Sequence, residues 1–204
     1  EKYYLSLLNS LHKLVPSEKV SMAGGCALNS VANGKALYET PFRETCIQPA
    51  AGDDGLALGA ALYVSNSVLK EKKRWVMKDS YLGNAYSDSF VRAELDRYKL
   101  SYKKLERDEL LDVTTDEIKN GNIIGWFQGR MEFGPRALGA RSIIGDPRSP
   151  RMQATMNLKI KFRESFRPFA PIVLRDRASE WFDLDPRHES PYMLVVAPVR
   201  ADRR

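Results

Sequence analysis

Apolar residues recur at helical spacing at the start of the chain, where Tyr4, Leu5, Leu7, Leu8, Leu11 and Leu14 predict a helix that Pro16 ends. The run KVSMA over residues 19–23 predicts a short strand leading into Gly24-Gly25. A helix over 29–38, a strand near 44–48, a turn over 49–55 and an apolar helix from 56 to about 69 follow. Glycines fall where strands end, so the pattern is that of an α/β fold.

The period then lapses. Residues 70–84, with Lys70-Glu71-Lys72-Lys73-Arg74 at their head, carry no amphipathic repeat and predict a linker over 73–84 between domains at 1–72 and 85–204. Helices are expected at 87–98 and 108–120, with a strand at 101–105 between them, and Gly121 suits the end of the second helix. The apolar run IIGWF, residues 123–127, predicts a buried strand. A helix at 149–158 and strands near 170–174 and 192–199 complete the pattern. If LKIKFR, residues 158–163, is extended, Leu158, Ile160 and Phe162 face one side and Lys159, Lys161 and Arg163 the other.

Composition bounds the class. The 204 residues are 43% hydrophobic, enough for one core or two small ones. No apolar run approaches the roughly 20 residues that span a bilayer, and the N-terminus lacks a signal-peptide pattern, so a cytoplasmic protein is expected. Cys26 and Cys46 are expected to be reduced structural thiols. A start at Glu1 rather than Met, and an end just after the apolar run YMLVVAPV, predict a piece of a longer protein.

Charge changes the picture more. The chain carries +6 in all, yet residues 125–175 alone hold ten Lys or Arg against three acids. Positive charge so concentrated suggests a polyanionic ligand: nucleotide phosphates, a small phosphorylated substrate or nucleic acid.

The candidate chemistry sits in four segments. In GRMEFGPRALGARS, residues 129–142, Pro135 is placed to begin a helix after Gly134, and the free amides of such a start favour an anion. Arg136 and Arg141 would add bidentate contacts to phosphate, and Glu132 either holds an arginine or binds magnesium. The apolar strand before it and Ala137-Leu138 within it favour a site over a solvated loop. In NLKIKFRESFRPFAP, residues 157–171, a solvated edge strand explains the pattern as well as a ligand site does, although two prolines stiffen the chain at Arg167. In AGGCALNS, residues 23–30, paired glycines admit close approach of a phosphate, but a plain tight turn is the commoner reading. In PAAGDDGLALGAAL, residues 49–62, Asp53 and Asp54 bind a cation or cap a helix, capping being commoner. His12, expected to be a partly exposed helix residue, and His188 are too few and too far apart to form a metal site alone.

These segments, in this order over most of residues 20–175, resemble the C-terminal part of the NodU/CmcH-type O-carbamoyltransferases, the group that includes the tobramycin carbamoyltransferase. The resemblance implies the end of a Kae1-like domain of the actin/Hsp70 ATPase superfamily over 1–72, and over 85–204 a YrdC-like twisted α/β domain, incomplete at its C-terminus. It implies that carbamoyl phosphate and ATP, with Mg2+, form carbamoyl-adenylate in the YrdC-like domain. The carbamoyl group then passes to a hydroxyl of a small-molecule acceptor in the Kae1-like domain. By the same resemblance Gly24, Gly25 and Asn29 match the nucleotide-binding turn. Asp53 matches an aspartate that shares a transition metal such as Fe2+ with two histidines of an upstream segment. Arg136, Lys161 and Arg167 match cations around the carbamoyl and phosphate groups, with Arg163 a fourth, and Arg130 and Arg141 join the phosphate-binding set. Fixed cations suit the negative charge that builds as phosphate and pyrophosphate depart.

Two rivals are weighed. The tRNA threonylcarbamoylation machinery pairs the same domain types, and its K-x-R motif fits Lys161 and Arg163; the long MEFGPRALGARS stretch argues against it. A non-catalytic nucleic-acid-binding module is disfavoured because Trp126, Phe127, Phe162, Phe166 and Phe169 lie in apolar contexts that suit a core better than base stacking. An oligomer is left open.

Overall fold

The structure, a computed structural model, describes residues 1–184 and 190–203, so His188 lies outside the described residues. Contacts divide the chain into two units. One comprises Glu1–Ser80, Phe133–Arg136 and Val173–Arg204; the other comprises Tyr81–Glu132 and Ala137–Ile172. Helices alternate with small sheets, an arrangement consistent with α/β.

In the first unit, helix α1 (Lys2–Leu14) buries Leu8 against α2 (Ser30–Glu39). Strands β1 (Lys19–Ser21) and β2 (Glu44–Cys46) pair in parallel, with Val20 opposite Thr45. Leu8, Val20, Ala36 and Phe42 form one core cluster, and Ala27, Ile47, Ala51 and Leu194 another. Asn33, fully buried in α2, donates to the carbonyls of Ala27 and Leu194 and accepts from the Tyr4 hydroxyl. No atom of this amide group lacks a partner, which a buried polar group requires. Helix α3 (Leu56–Tyr63) continues into a π-helical turn, Val64–Val68. His12 is half-buried and meets Phe42 edge-on at 5.5 Å. Cys26 and Cys46 are free and exposed.

In the second unit, α4 (Asp88–Arg97) begins at Ser87, whose hydroxyl accepts from the amide of Phe90. Helix α5 (Arg107–Lys119) ends where Gly121, at φ +83°, donates to the carbonyl of Ile118, the left-handed exit expected of that glycine. Strands β3 (Ile124–Phe127) and β4 (Arg141–Ile144) then form an antiparallel hairpin in which Trp126 faces Ser142. Helix α6 (Met152–Thr155) continues as a π-helical turn, Met156–Ile160. Gly145 lies against α6, where a Cβ would sit 2.8 Å from the Met152 sulfur and 2.9 Å from that of Met156. In the first unit again, the short helix α7 (Ala178–Trp181) is followed by an isolated bridge from Phe182 to Val199.

Several expectations are corrected. Residues 101–105 and 170–174 form no strand, because no neighbouring backbone among the described residues supplies a ladder. The run 192–199 is interrupted by Met193 at φ +55° and keeps only the bridge at Val199. Strand β4, unexpected from the sequence, fills the role of partner to β3. The segment beginning LKIKF is helical, not extended: Leu158, Ile160 and Phe162 are 58%, 40% and 85% exposed, while Met152, Met156 and Asn157 are buried. Phe127, Phe162 and Phe166 are exposed, not core.

Candidate functional site

Three of the four sequence segments converge within the first unit. Gly24, at φ +94°, opens a 3-10 turn, Gly25–Leu28, and its amide donates to the carbonyl of Ala51 in the PAAGDDG segment at 2.7 Å. That bond ties the two segments side by side. A Cβ on Gly24 or Gly25 would meet nothing within 4 Å, so this stretch of backbone faces open space. Such a bare turn is a surface that a phosphate can approach closely. Asn29 follows as the cap of α2, its side-chain oxygen accepting from the Ala32 amide at 3.1 Å.

The third segment enters at Phe133–Arg136. Pro135 begins no helix there; the backbone bends, and the amide-dipole cradle expected at that point is absent. Gly134 there holds φ +120° beside the Pro49 carbonyl, where a Cβ would stand 2.9 Å from the oxygen. Arg136 reaches the carbonyl of Leu28 at 2.6 Å and that of Met193 at 2.5 Å. Its guanidinium is half-buried, and burial lowers its pKa. Arg136 thus clamps the end of the glycine turn to the 190–196 segment.

Asp53 and Asp54 occupy a 3-10 turn ahead of α3, exposed. No group of three or more His, Cys, Asp or Glu that could hold a metal occurs among the described residues. Asp53 therefore belongs to no metal-holding group among the described residues.

The second unit holds the other cations. Glu132, its side chain fully buried, accepts from the amides of Leu138 at 2.6 Å, Ala140 at 2.8 Å and Arg141 at 3.4 Å. Its other oxygen accepts from Arg141 Nε at 3.1 Å. Burial pushes the carboxyl pKa up, but these backbone donors pull harder and the net shift is downward. Between holding an arginine and binding magnesium, the geometry decides for the first: the fully buried carboxylate receives three backbone amides on one oxygen and the Arg141 guanidinium on the other. Arg130 donates to the Leu82 carbonyl at 3.0 Å.

Lys161, Arg163 and Arg167 lie together on the loop after the π-helical turn. Arg163 donates through Nε to the side-chain oxygen of Asn157 at 2.6 Å and lies over the Phe169 ring at 4.9 Å. Arg167 pairs with Glu164 at 2.8 Å, and Lys161 is exposed. Sequence reasoning missed Asn157 because a single amide in an apolar run gives no chemical signal; its position at the head of the cation segment is the only hint.

Residues 1–62 match the family model described as Carbamoyltransferase N-terminus, and residues 115–204 the one described as Carbamoyltransferase C-terminus. The chain is similar to an uncharacterized protein of Synechocystis sp., 47% identical over 210 residues, covering 100% of this chain and 34% of that protein. It is 41% identical over 207 residues to the nodulation protein NolNO of Sinorhizobium fredii, covering 100% of this chain and 30% of the relative. With the nodulation protein NolO of Bradyrhizobium diazoefficiens it shares 40% identity over 202 residues, 98% of this chain and 37% of the relative. The chain spans about a third of the length of these curated relatives. No helix of the described residues is long and apolar enough to cross a membrane.

Proposed function

The chain belongs to the carbamoyltransferase family, and from that premise we propose that its protein is an ATP-dependent O-carbamoyltransferase. In this reading carbamoyl phosphate is hydrolysed by water to carbamate and phosphate, and the carbamate oxygen displaces pyrophosphate from ATP, with Mg2+, to give carbamoyl-adenylate in a YrdC-like domain that includes 85–204. The carbamoyl group then passes to a hydroxyl of a small-molecule acceptor in a Kae1-like domain that ends within 1–72. The observation that carries the reading is the order of matches along one chain, family N-terminus then C-terminus, with the cations Lys161, Arg163 and Arg167 gathered on one loop of the second match.

The residues divide the work. Lys161, exposed on that loop, supplies a mobile point charge to the phosphate and carbamoyl oxygens. Arg167 and Arg163 add fixed charge where phosphate and pyrophosphate leave. Arg130 and Arg141 border the same chemistry from the hairpin loop, Arg141 with its Nε held on Glu132. In the first unit the open backbone at Gly24 and Gly25 and the cap at Asn29 fit a nucleotide's phosphate, which the carbamoyl-adenylate would supply. Arg136, bonded to the Leu28 and Met193 carbonyls, acts in this scheme by fixing that turn.

The test uses the full-length protein. Labelled pyrophosphate should exchange into ATP only when carbamoyl phosphate is present, and Lys161→Ala should lower that exchange by about 100-fold or more. Exchange untouched by the substitution removes Lys161 from the reaction. Modification of tRNA adenosine on incubation with threonine, bicarbonate and ATP would instead establish the threonylcarbamoylation reading.

A further inference from the structure

The loop that bears the three cations folds around one buried side chain, and that side chain is not a cation. Asn157 is 0% exposed. Its amide nitrogen donates to the carbonyls of Ser165 at 3.1 Å and Arg167 at 2.8 Å, and its side-chain oxygen accepts from Arg163 Nε at 2.6 Å. Its own carbonyl accepts the Arg163 amide at 3.0 Å, and the carbonyl of the preceding residue, Met156, takes the Lys161 amide at the same distance. One residue thus fixes where the chain stands at 163, 165 and 167. Four residues earlier on the helical run, Gln153 donates to the carbonyls of Phe166 at 3.3 Å and Arg167 at 3.0 Å, so two amides hold Arg167 from the same helix.

We propose that Asn157 is the positioning residue of the cation loop: it touches no substrate, and it holds Arg163 and the backbone at Arg167 in the arrangement that receives the anion. The inference rests on the carbamoyl phosphate reading above. Three observations support a loop set before any ligand arrives. Arg163 is held by Nε and by the face of Phe169, which leaves its two terminal nitrogens to an anion. Phe162 sits at φ +47° with its ring exposed, a conformation that persists only where the surroundings impose it. Asn157 uses both donors and its acceptor, a combination that neither Asp nor Leu of similar size reproduces. Aspartate in its place would turn two donors into acceptors facing the Ser165 and Arg167 carbonyls while still receiving Arg163.

The experiment compares wild type, Asn157→Asp, Arg163→Ala and the double variant as full-length proteins, with Gln153→Ala as a milder variant that leaves the core intact. Asn157→Asp should raise KM for carbamoyl phosphate in pyrophosphate exchange by about 10-fold or more, with a smaller change in kcat. The double variant should raise KM beyond Arg163→Ala by most of the Asn157→Asp factor, because aspartate still receives Arg163 and its effect runs through the Ser165 and Arg167 carbonyls. Gln153→Ala should shift KM in the same direction by less. Limited trypsin digestion should cut after Lys161 and Arg163 faster in Asn157→Asp than in wild type; the bond after Arg167 precedes Pro168 and resists in both.

A lowered melting temperature with unchanged KM, or a double variant no worse than Arg163→Ala, would overturn the proposal. If wild type shows no carbamoyl-phosphate-dependent exchange, the functional reading fails. The digestion still decides the loop: equal cleavage in both proteins overturns the role of Asn157, and selective opening in Asn157→Asp upholds it as the residue that orders the loop.

Discussion

Glu132 shows what a single residue does in this fold. A carboxylate with a fully buried side chain is costly unless paired, and here three amides and one guanidinium nitrogen surround it. From the sequence its duty was open, since an acid among arginines serves a salt bridge or a metal equally well. The contacts that decide it come from residues six to nine positions later, which no local pattern specifies. Glu132→Gln keeps the shape, removes the charge and turns an amide group toward donors. It should lower stability by about 3 kcal/mol in urea unfolding. Arg141→Ala leaves the carboxylate its amides and should cost less, about 1–2 kcal/mol. A loss below roughly 0.5 kcal/mol in Glu132→Gln would mean that the charge contributes nothing to the hairpin loop.

At the scale of the element, the hairpin β3–β4 carries an acid dependence. Asp146, just past β4, accepts from Arg148 through both oxygens; these bonds, with the Arg148 amide, hold its pKa at about 2 rather than 3.8. Glu132, within the hairpin loop, is also shifted below its ordinary 4.5. Both folded values are depressed, so both groups bind protons more readily in the unfolded chain. Their contribution is complete above the unfolded values and is lost as pH falls through the folded ones. Amide exchange of residues 128–148 should therefore accelerate relative to α5 between pH 4.5 and 2, and Asp146→Asn should remove part of that dependence. Exchange of the two elements rising in parallel would show that neither carboxylate acts locally. The hairpin also marks how far elements were legible. Strand β3 could be read because IIGWF is apolar and bounded by glycines. Strand β4, RSII, is short and half polar, and only its pairing with β3 makes it a strand. The alternation in LKIKF pointed to a strand, yet the positions that matter are Met152, Met156 and Asn157, spaced for a helix and buried on it. Two periods overlapped, and the tertiary contact of α6 with Gly145 chose between them.

For the whole molecule, the question is whether the concentrated positive charge serves a large polyanion. Two observations favour that view: residues 125–175 hold ten cations against three acids, and Phe162 and Phe166 stand exposed beside them, as base-stacking residues would. The partners of those cations weigh on the other side. Arg141 pairs with Glu132, Arg148 with Asp146 and Arg167 with Glu164, while Arg136 and Arg130 bond to carbonyls, Arg163 bonds to Asn157 and Arg175 is engaged as well. Arg151, Lys159 and Lys161 are exposed without an ion-pair partner among the described residues. A nucleic-acid surface needs many phosphate contacts, each adding about 0.9 to the slope of log affinity against log salt. With Arg163 and Arg167, whose terminal groups are assigned to phosphate above, five cations of this segment allow a slope of about 4 to 5, so binding to tRNA or duplex DNA should be weak near physiological salt. Gel-shift titrations from 50 to 200 mM salt measure this directly. A slope near 8 would require the internally bonded arginines to turn outward together. That result would transfer the basic segment from small-molecule chemistry to nucleic-acid recognition, whereas a shallow slope leaves a small phosphorylated substrate as the anion that this arrangement can hold.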